Sequence, residues 1–413
     1  MTVPDSHPWK TDSFFSSPWN YLPDVTKGFS LPETVAIHDV TLRDGEQQAG
    51  VEFTADDKLR IAEALSEAGI HRIEAGLPAV SPSDTEAVKR IVAAGLDAEI
   101  YAFSRCMISD VELALECGVS GVIMEVPASH HLIEKAYRWP VERAIEASIE
   151  STKFAHEHGL KVTFFPIDAT RSSMTQLLDD LETVATNGYV DNVGLVDTFG
   201  VCSPHAISYY TRRVRERLRV PVETHFHMDF GMGVANTVLA VAEGASVLQT
   251  TVSGIGERAG NAPTEETVLA LLTMYGIDMG IKTEKFTEIA RLVAKLSGVQ
   301  QPDNRPITGE KLFNVESGII TTWVKNVGDD LIEPFPYRPE LVGQPTPQVV
   351  LGKGSGVDSV AIWLGKHGIH NADTEAIETI LTEVKNKSLA KKGLLNDDEF
   401  LDIVHDILPE RAN

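Results

Sequence analysis

The stretch THFHMDFGMGVAN, residues 224–236, sets two histidines one residue apart, His225 and His227, followed at once by Met228 and Asp229. In an extended segment, side chains two apart share a face, so both imidazoles would project together. Neutral imidazoles so placed make a ready pair of metal ligands, and the same pattern also occurs at ordinary strand ends. A second stretch, HDVTLRDGEQQ at residues 38–48, carries Arg43, Asp44, Glu46 and Gln47. A carboxylate joining two imidazoles, with further positions open to solvent or substrate, suits a catalytic divalent ion that polarises a carbonyl. Taken singly, Asp44-Gly45 reads as a tight turn and Arg43 as a surface cation.

Whether these side chains meet depends on the elements that carry them. From residue 35 the chain alternates short apolar runs with segments of helical period: VAIHDV (35–40), HRIEAG (71–76), AEIYAF (98–103), GVIMEV (121–126), KVTFFP (161–166), NVGLVD (192–197), VETHFH (222–227) and SVLQTT (246–251). Helical segments lie between them. In TADDKLRIAEALSEAG, Thr54 is placed to cap the helix with Asp57 three residues on, and Gly69 to close it. Eight such repeats predict an α/β fold, a TIM (β/α)8 barrel rather than an open doubly wound sheet. No Gly-x-Gly-x-x-Gly follows the first strand, which argues further against a dinucleotide fold. Active sites of barrels collect at the C-terminal ends of the strands, which is where Asp44, His225 and His227 fall.

With 413 residues, 43% of them hydrophobic, the chain can bury at least one full core. Its formal charge of −24 argues against binding to nucleic acid or to an anionic membrane surface. Three cysteines without paired or zinc-type spacing predict no disulfide framework, and a cytoplasmic location fits. The first 30 residues lack the basic start and apolar core of a signal peptide, and no run is long enough to span a bilayer. Neither export nor insertion is expected. Residues 1–34 read as an arm carrying Trp9, Phe14, Phe15, Trp19 and Tyr21, either packed on a surface or partly disordered.

TLRDGEQ, VDTFG, HFHMDFGMGVAN and GIGERAGNAPTEE, in this order and on these strands, resemble the metal-dependent Claisen-condensing branch of the DRE-TIM metallolyases. Isopropylmalate, homocitrate and citramalate synthases belong to that branch. The resemblance implies that Asp44, His225 and His227 bind a divalent ion (Mg, Mn or Zn), with Asn261 as a further ligand or support. It implies that Arg43 contacts the ketone oxygen of a 2-oxo acid and that Thr198 holds its carboxylate. Gln47 and Glu74 fall where such enzymes read the acceptor's side chain, and a buried ion pair is the other reading of Glu74. The nucleophile would be the enolate of an acyl-CoA, a CoA thioester serving as co-substrate, and the assembly a homodimer.

Three departures from the branch bear on the chemistry. Ile167, in FFPIDATR, stands where such synthases carry a catalytic glutamate, leaving Asp168. In NVESGII, Val315 and Ile320 take the places of two histidines, and Met228 replaces an asparagine. Asp168, Glu316 and His131 are the candidate general bases, with Glu316 preferred for its place beside the lost histidines. Gly256 and Gly260, in the loop after the eighth strand, could receive an anionic part of CoA on backbone N–H groups, or serve the tight turn alone.

The barrel is set at residues 35–285 and a smaller, mainly helical accessory region at 286–413. The favoured function is metal-dependent condensation of an acyl-CoA, acetyl-CoA first among them, with a 2-oxo acid. A retro-aldol or retro-Claisen lyase on the same scaffold and a non-catalytic relative that binds an oxo acid are the alternatives.

Overall fold

The computed structural model describes residues 7–370 and 372–408. Eight parallel strands close into a barrel: β1 (Ala36–Asp39), β2 (Arg72–Glu74), β3 (Glu99–Arg105), β4 (Gly121–Pro127), β5 (Lys161–Ile167), β6 (Asn192–Asp197), β7 (Val222–Phe226) and β8 (Val247–Thr250). Closure comes from β1 pairing with β8, His38 opposite Gln249 and Asp39 opposite Thr250. All eight predicted runs are strands. Helices on the outside bury the second face of the sheet, so the strands read as nearly continuous apolar runs. The helix Ala55–Glu67 starts on the predicted capping box: Thr54 Oγ1 accepts from the Asp57 N–H (3.2 Å) and Asp57 Oδ2 from the Thr54 N–H (3.1 Å).

The barrel interior fills in layers contributed by alternate strands. One layer comes from the odd strands: His38, Tyr101, Thr163 and Glu223, all essentially buried. The rings of His38 and Tyr101 lie 4.9 Å apart, and Gly121 of β4 leaves room for the Tyr101 ring where a Cβ would collide with it. Above it, towards the strands' C-terminal ends, Phe103, Phe165 and His225 meet edge to face, at 5.8 Å and 4.9 Å between successive centroids. The site therefore rests on a packed floor rather than a pore.

The chain divides into two compact units, residues 18–301 and residues 1–17 with 302–413. The first holds the barrel, and Tyr21 donates to the Thr273 carbonyl within it (3.1 Å). In the second, the helices Val357–Lys366, Thr374–Lys391 and Asp397–Ile407 enclose an apolar core of Leu351, Val360, Trp363, Ile380, Val384, Phe400 and Val404. Phe14 pairs with Tyr337 and the Phe15 N–H donates to the Pro336 carbonyl (2.9 Å) in the same unit. The segment read as one arm, 1–34, is thus shared between the units; its residues 1–6 lie outside the described ones. Among the described residues no helix is long and apolar enough to cross a membrane.

Candidate active site

His225, at the end of β7, and His227, just beyond it, present their Nε2 atoms 3.1 Å apart, and Asp44 Oδ2 lies 3.2 Å from the first and 3.8 Å from the second. All three side chains are buried. Hydrogen bonds on the far side of each ring fix which nitrogen carries the proton. His227 Nδ1 faces the Gly260 carbonyl (3.1 Å), which can only accept, so Nδ1 is the protonated nitrogen. His225 Nδ1 faces Gln249 Oε1 (2.8 Å), with the same result. The Nε2 atoms of both imidazoles and a carboxylate oxygen thus converge on one point.

Burial pushes the His227 imidazole down to about 4, against a partial opposing pull from Asp44, so the ring is neutral near pH 7. Burial alone would raise the Asp44 carboxyl, but the Arg43 guanidinium holds it well below the usual carboxylate range. Asn261 Nδ2 donates to Asp44 Oδ1 (3.1 Å), while Asn261 Oδ1 is buried without a hydrogen-bond partner. A cation in this space would satisfy the convergent donors and could take up the orphaned amide oxygen; the residues fit a divalent ion. Among the described residues, Asp44, His225 and His227 are the one cluster of potential ligand atoms of this kind.

Arg43 lies against this cluster with its guanidinium over the Phe103 ring, 4.2 Å from the centroid. Its Nε and Nη2 reach Glu74 (2.7 and 3.3 Å), and Nη1 reaches Asp44 Oδ2 (2.9 Å) and, more distantly, Gln47 Oε1 (3.4 Å). Glu74 therefore forms a buried ion pair, while Gln47 is exposed at the rim.

The loop after β8 folds tightly onto the site. At Gly260 (φ +82°) a Cβ would run into the Gly254 carbonyl, and at Gly256 (φ +155°) into Asn261 Nδ2. Absence of a side chain at both is what lets the loop bring the Gly260 carbonyl to His227 and Asn261 to Asp44.

Asp168, beyond β5, is fully buried in the left-handed region (φ 60°). Its carboxylate accepts from Ser129 Oγ and from Arg171 Nη2 (2.9 Å), and His131 Nε2 lies 3.3 Å away. The Asp168 N–H donates to Thr198 Oγ1 (2.8 Å), which ties the β5 and β6 ends together. Glu316 lies in the other compact unit, where Oε1 accepts from the Gly354 N–H (2.9 Å) and the carboxylate packs over Gly352.

The HMGL-like family model matches residues 34–293 of the chain. Homocitrate synthase AksA of Methanopyrus kandleri is 38% identical over 396 residues, covering 95% of this chain and 97% of that protein. This chain belongs to the HMGL-like family, in the DRE-TIM Claisen-condensing branch. A 2-isopropylmalate synthase of Methanocaldococcus jannaschii is 35% identical over 390 residues, 94% of this chain and 74% of that one. The crystal structure of a hydroxymethylglutaryl-CoA lyase from Pseudomonas aeruginosa shares the fold, with a TM-score of 0.58 at 24% identity over 65% of this chain and 95% of that one. As a member of the condensing branch, the chain is an enzyme, an acyltransferase that forms carbon–carbon bonds.

Against that family pattern, the departures have visible local settings. Met228 lays its sulfur over Gly233, where an added Cβ would lie 2.6 Å from it. Ile167 packs against the apolar cluster of Tyr101, Phe103, Ile123, Phe165 and Val196. Val315 is buried in a two-residue strand, and Ile320 sits in the helix Gly318–Val327. Sequence reasoning missed Gln249 and Glu223, which stand behind His225. The signal was present for Glu223: in VETHFH, residues 223, 225 and 227 share one strand face.

Proposed function

We propose that this HMGL-like enzyme condenses an acyl-CoA, acetyl-CoA foremost, with a 2-oxo acid, giving a 2-hydroxy acid of the alkylmalate type and free CoA. The observation that carries the proposal is the convergence of Asp44 Oδ2, His225 Nε2 and His227 Nε2 at the C-terminal end of the barrel. Asp44, His225 and His227 would hold a divalent ion, with Asn261 Oδ1 as the further donor. When bound, such an ion polarises the ketone of the oxo acid and makes its carbon electrophilic.

The remaining steps fall to the chain's own residues. Arg43, held rigid between Glu74 and Phe103, donates to the ketone oxygen as negative charge develops on it. Thr198 holds the substrate carboxylate, and Gln47 at the rim meets the acceptor side chain. His131, oriented by the Asp168 carboxylate, takes the proton from the carbon next to the thioester, and that carbon then bonds to the ketone carbon. The alkoxide so formed gains a proton. Water then cleaves the thioester, releasing CoA as the thiol and leaving a new carboxylate.

The test is thiol release from acetyl-CoA across a panel of 2-oxo acids, with metal-loaded wild type and His227→Ala. Release that requires one oxo acid and is lost in the variant supports the reading. Binding of an oxo acid without thiol release contradicts acetyl-CoA condensation. Release of a 2-oxo acid from a single hydroxy acid or thioester would instead assign the reverse bond change, for which the Asp44 and Arg43 arrangement serves equally.

A further inference from the structure

The Gln249 side chain links the polar layer inside the barrel to the site above it. Glu223 accepts from His38 Nδ1 (2.6 Å) and Thr163 Oγ1 (3.2 Å), with Arg72 Nη1 3.8 Å away. It also accepts from Gln249 Nε2 (3.0 Å), and Gln249 Oε1 in turn faces His225 Nδ1 (2.8 Å). All of these groups except Arg72 are buried. Charged residues inside a barrel floor are costly unless every lone pair is met, and here the floor is polar immediately beneath a candidate metal ligand.

We propose that Glu223 and Gln249 are positioning residues that lock His225 in its Nδ1–H tautomer, and that divalent-ion affinity depends on this lock. The inference rests on the metal reading of the same site. Its logic is directional. A carboxylate cannot donate, so the Gln249 amide must turn its NH2 toward Glu223 and its oxygen toward His225. That oxygen accepts only from a protonated Nδ1, which leaves the His225 Nε2 lone pair facing His227 and Asp44. The opposite tautomer would require the amide to flip, setting its oxygen against the Glu223 carboxylate where the donated bond is now 3.0 Å. The Thr163 hydroxyl and the Arg72 guanidinium face the Glu223 carboxylate as well, so its oxygens act as acceptors here.

Two measurements test the lock. In metal-free wild-type protein, 15N NMR of labelled histidines, with His225→Gln to assign the resonance, should show His225 protonated at Nδ1. Protonation at Nε2 would overturn the proposal. In calorimetric titration with Mn2+, Gln249→Leu should bind about 10–100-fold more weakly than wild type. A folded Gln249→Leu protein that binds Mn2+ as tightly as wild type would overturn the dependence on the lock. Should Gln249→Leu fail to fold, the wild-type tautomer decides. Absence of ion binding in wild type would overturn the metal reading, while the tautomer would still decide the role of Gln249.

Discussion

The guanidinium of Arg43 lies along the carboxylate of Glu74, Nε 2.7 Å from Oε1 and Nη2 3.3 Å from Oε2, in a pair almost closed to water. Among the described residues, Glu74 is the only carboxylate that Arg43 meets with two nitrogens, and Phe103 holds the face of the same guanidinium. The cation is thereby fixed in plane and direction beside Asp44, as a group that must meet developing charge without reorganising should be.

Removing one partner of this pair leaves a buried charge without its counter-ion. Glu74→Ala should destabilise the protein by about 3–5 kcal/mol, seen as a lowered Tm. Arg43→Lys keeps the charge but loses the planar fork and the stack on Phe103, so it should lower kcat/KM by about 100-fold or more. Wild-type kcat/KM in the Arg43→Lys variant would show that the fork does not act on the reacting oxygen.

The glycines of the loop after β8 make a separate prediction. Gly260→Ala places a methyl group against the Gly254 carbonyl at a φ of +82°. The left-handed backbone alone costs about 1–2 kcal/mol for a residue with a Cβ, and the collision adds to it. Because the Gly260 carbonyl holds His227 Nδ1 (3.1 Å), ion affinity should fall together with Tm. Calorimetry on the folded fraction separates the two effects, and unchanged affinity would count against the carbonyl's role.

Burial pushes the Asp39 carboxyl up from 3.8 to about 7, although the Thr41 N–H and hydroxyl donate to it (2.9 and 3.0 Å). A group raised in this way binds its proton more tightly in the folded protein than in the unfolded chain. Its contribution is therefore fully present below about pH 4 and is lost as pH rises through about 7. Tm should fall between about pH 4 and about pH 7, and the fall should be smaller in Asp39→Asn, which keeps the acceptor for the Thr41 N–H. Equal falls in the two proteins would place the effect elsewhere.

At the metal site the direction is opposite. His227, pushed by burial down to about 4, stays neutral until the solution is well acidic. In metal-free protein the 15N signals of the His227 ring should hold nearly constant from about pH 8 to about 5.5 and shift towards about pH 4. A shift of those signals centred near 6.5, the value of a free imidazole, would show that the ring is solvated rather than enclosed.

Much of the barrel was legible because its rules are local. Alternating runs of roughly four to eight residues mark strands, and strand ends mark the mouth, which sufficed to place Asp44, His225 and His227 together. What lay beyond reach depends on pairings distant along the chain. Gln249 sits in an apolar run, and nothing in SVLQTT announces that its amide meets His225, 24 residues earlier. Nothing in HRIEAG announces that Glu74 pairs with Arg43, 31 residues before it. The aromatic arm hid a division for the same reason: Phe14 meets Tyr337 in one compact unit, while Tyr21 bonds to Thr273 in the other.

The most direct test of metal-dependent condensation is chelation and add-back. Wild-type protein is stripped with a chelator, and thiol release from acetyl-CoA and the responsive 2-oxo acid is measured before and after Mg2+, Mn2+ or Zn2+ is restored. The site formed by Asp44, His225 and His227 predicts loss of release on stripping and recovery with at least one of the ions, with no recovery in Asp44→Asn. Full thiol release from stripped wild-type protein would contradict the account.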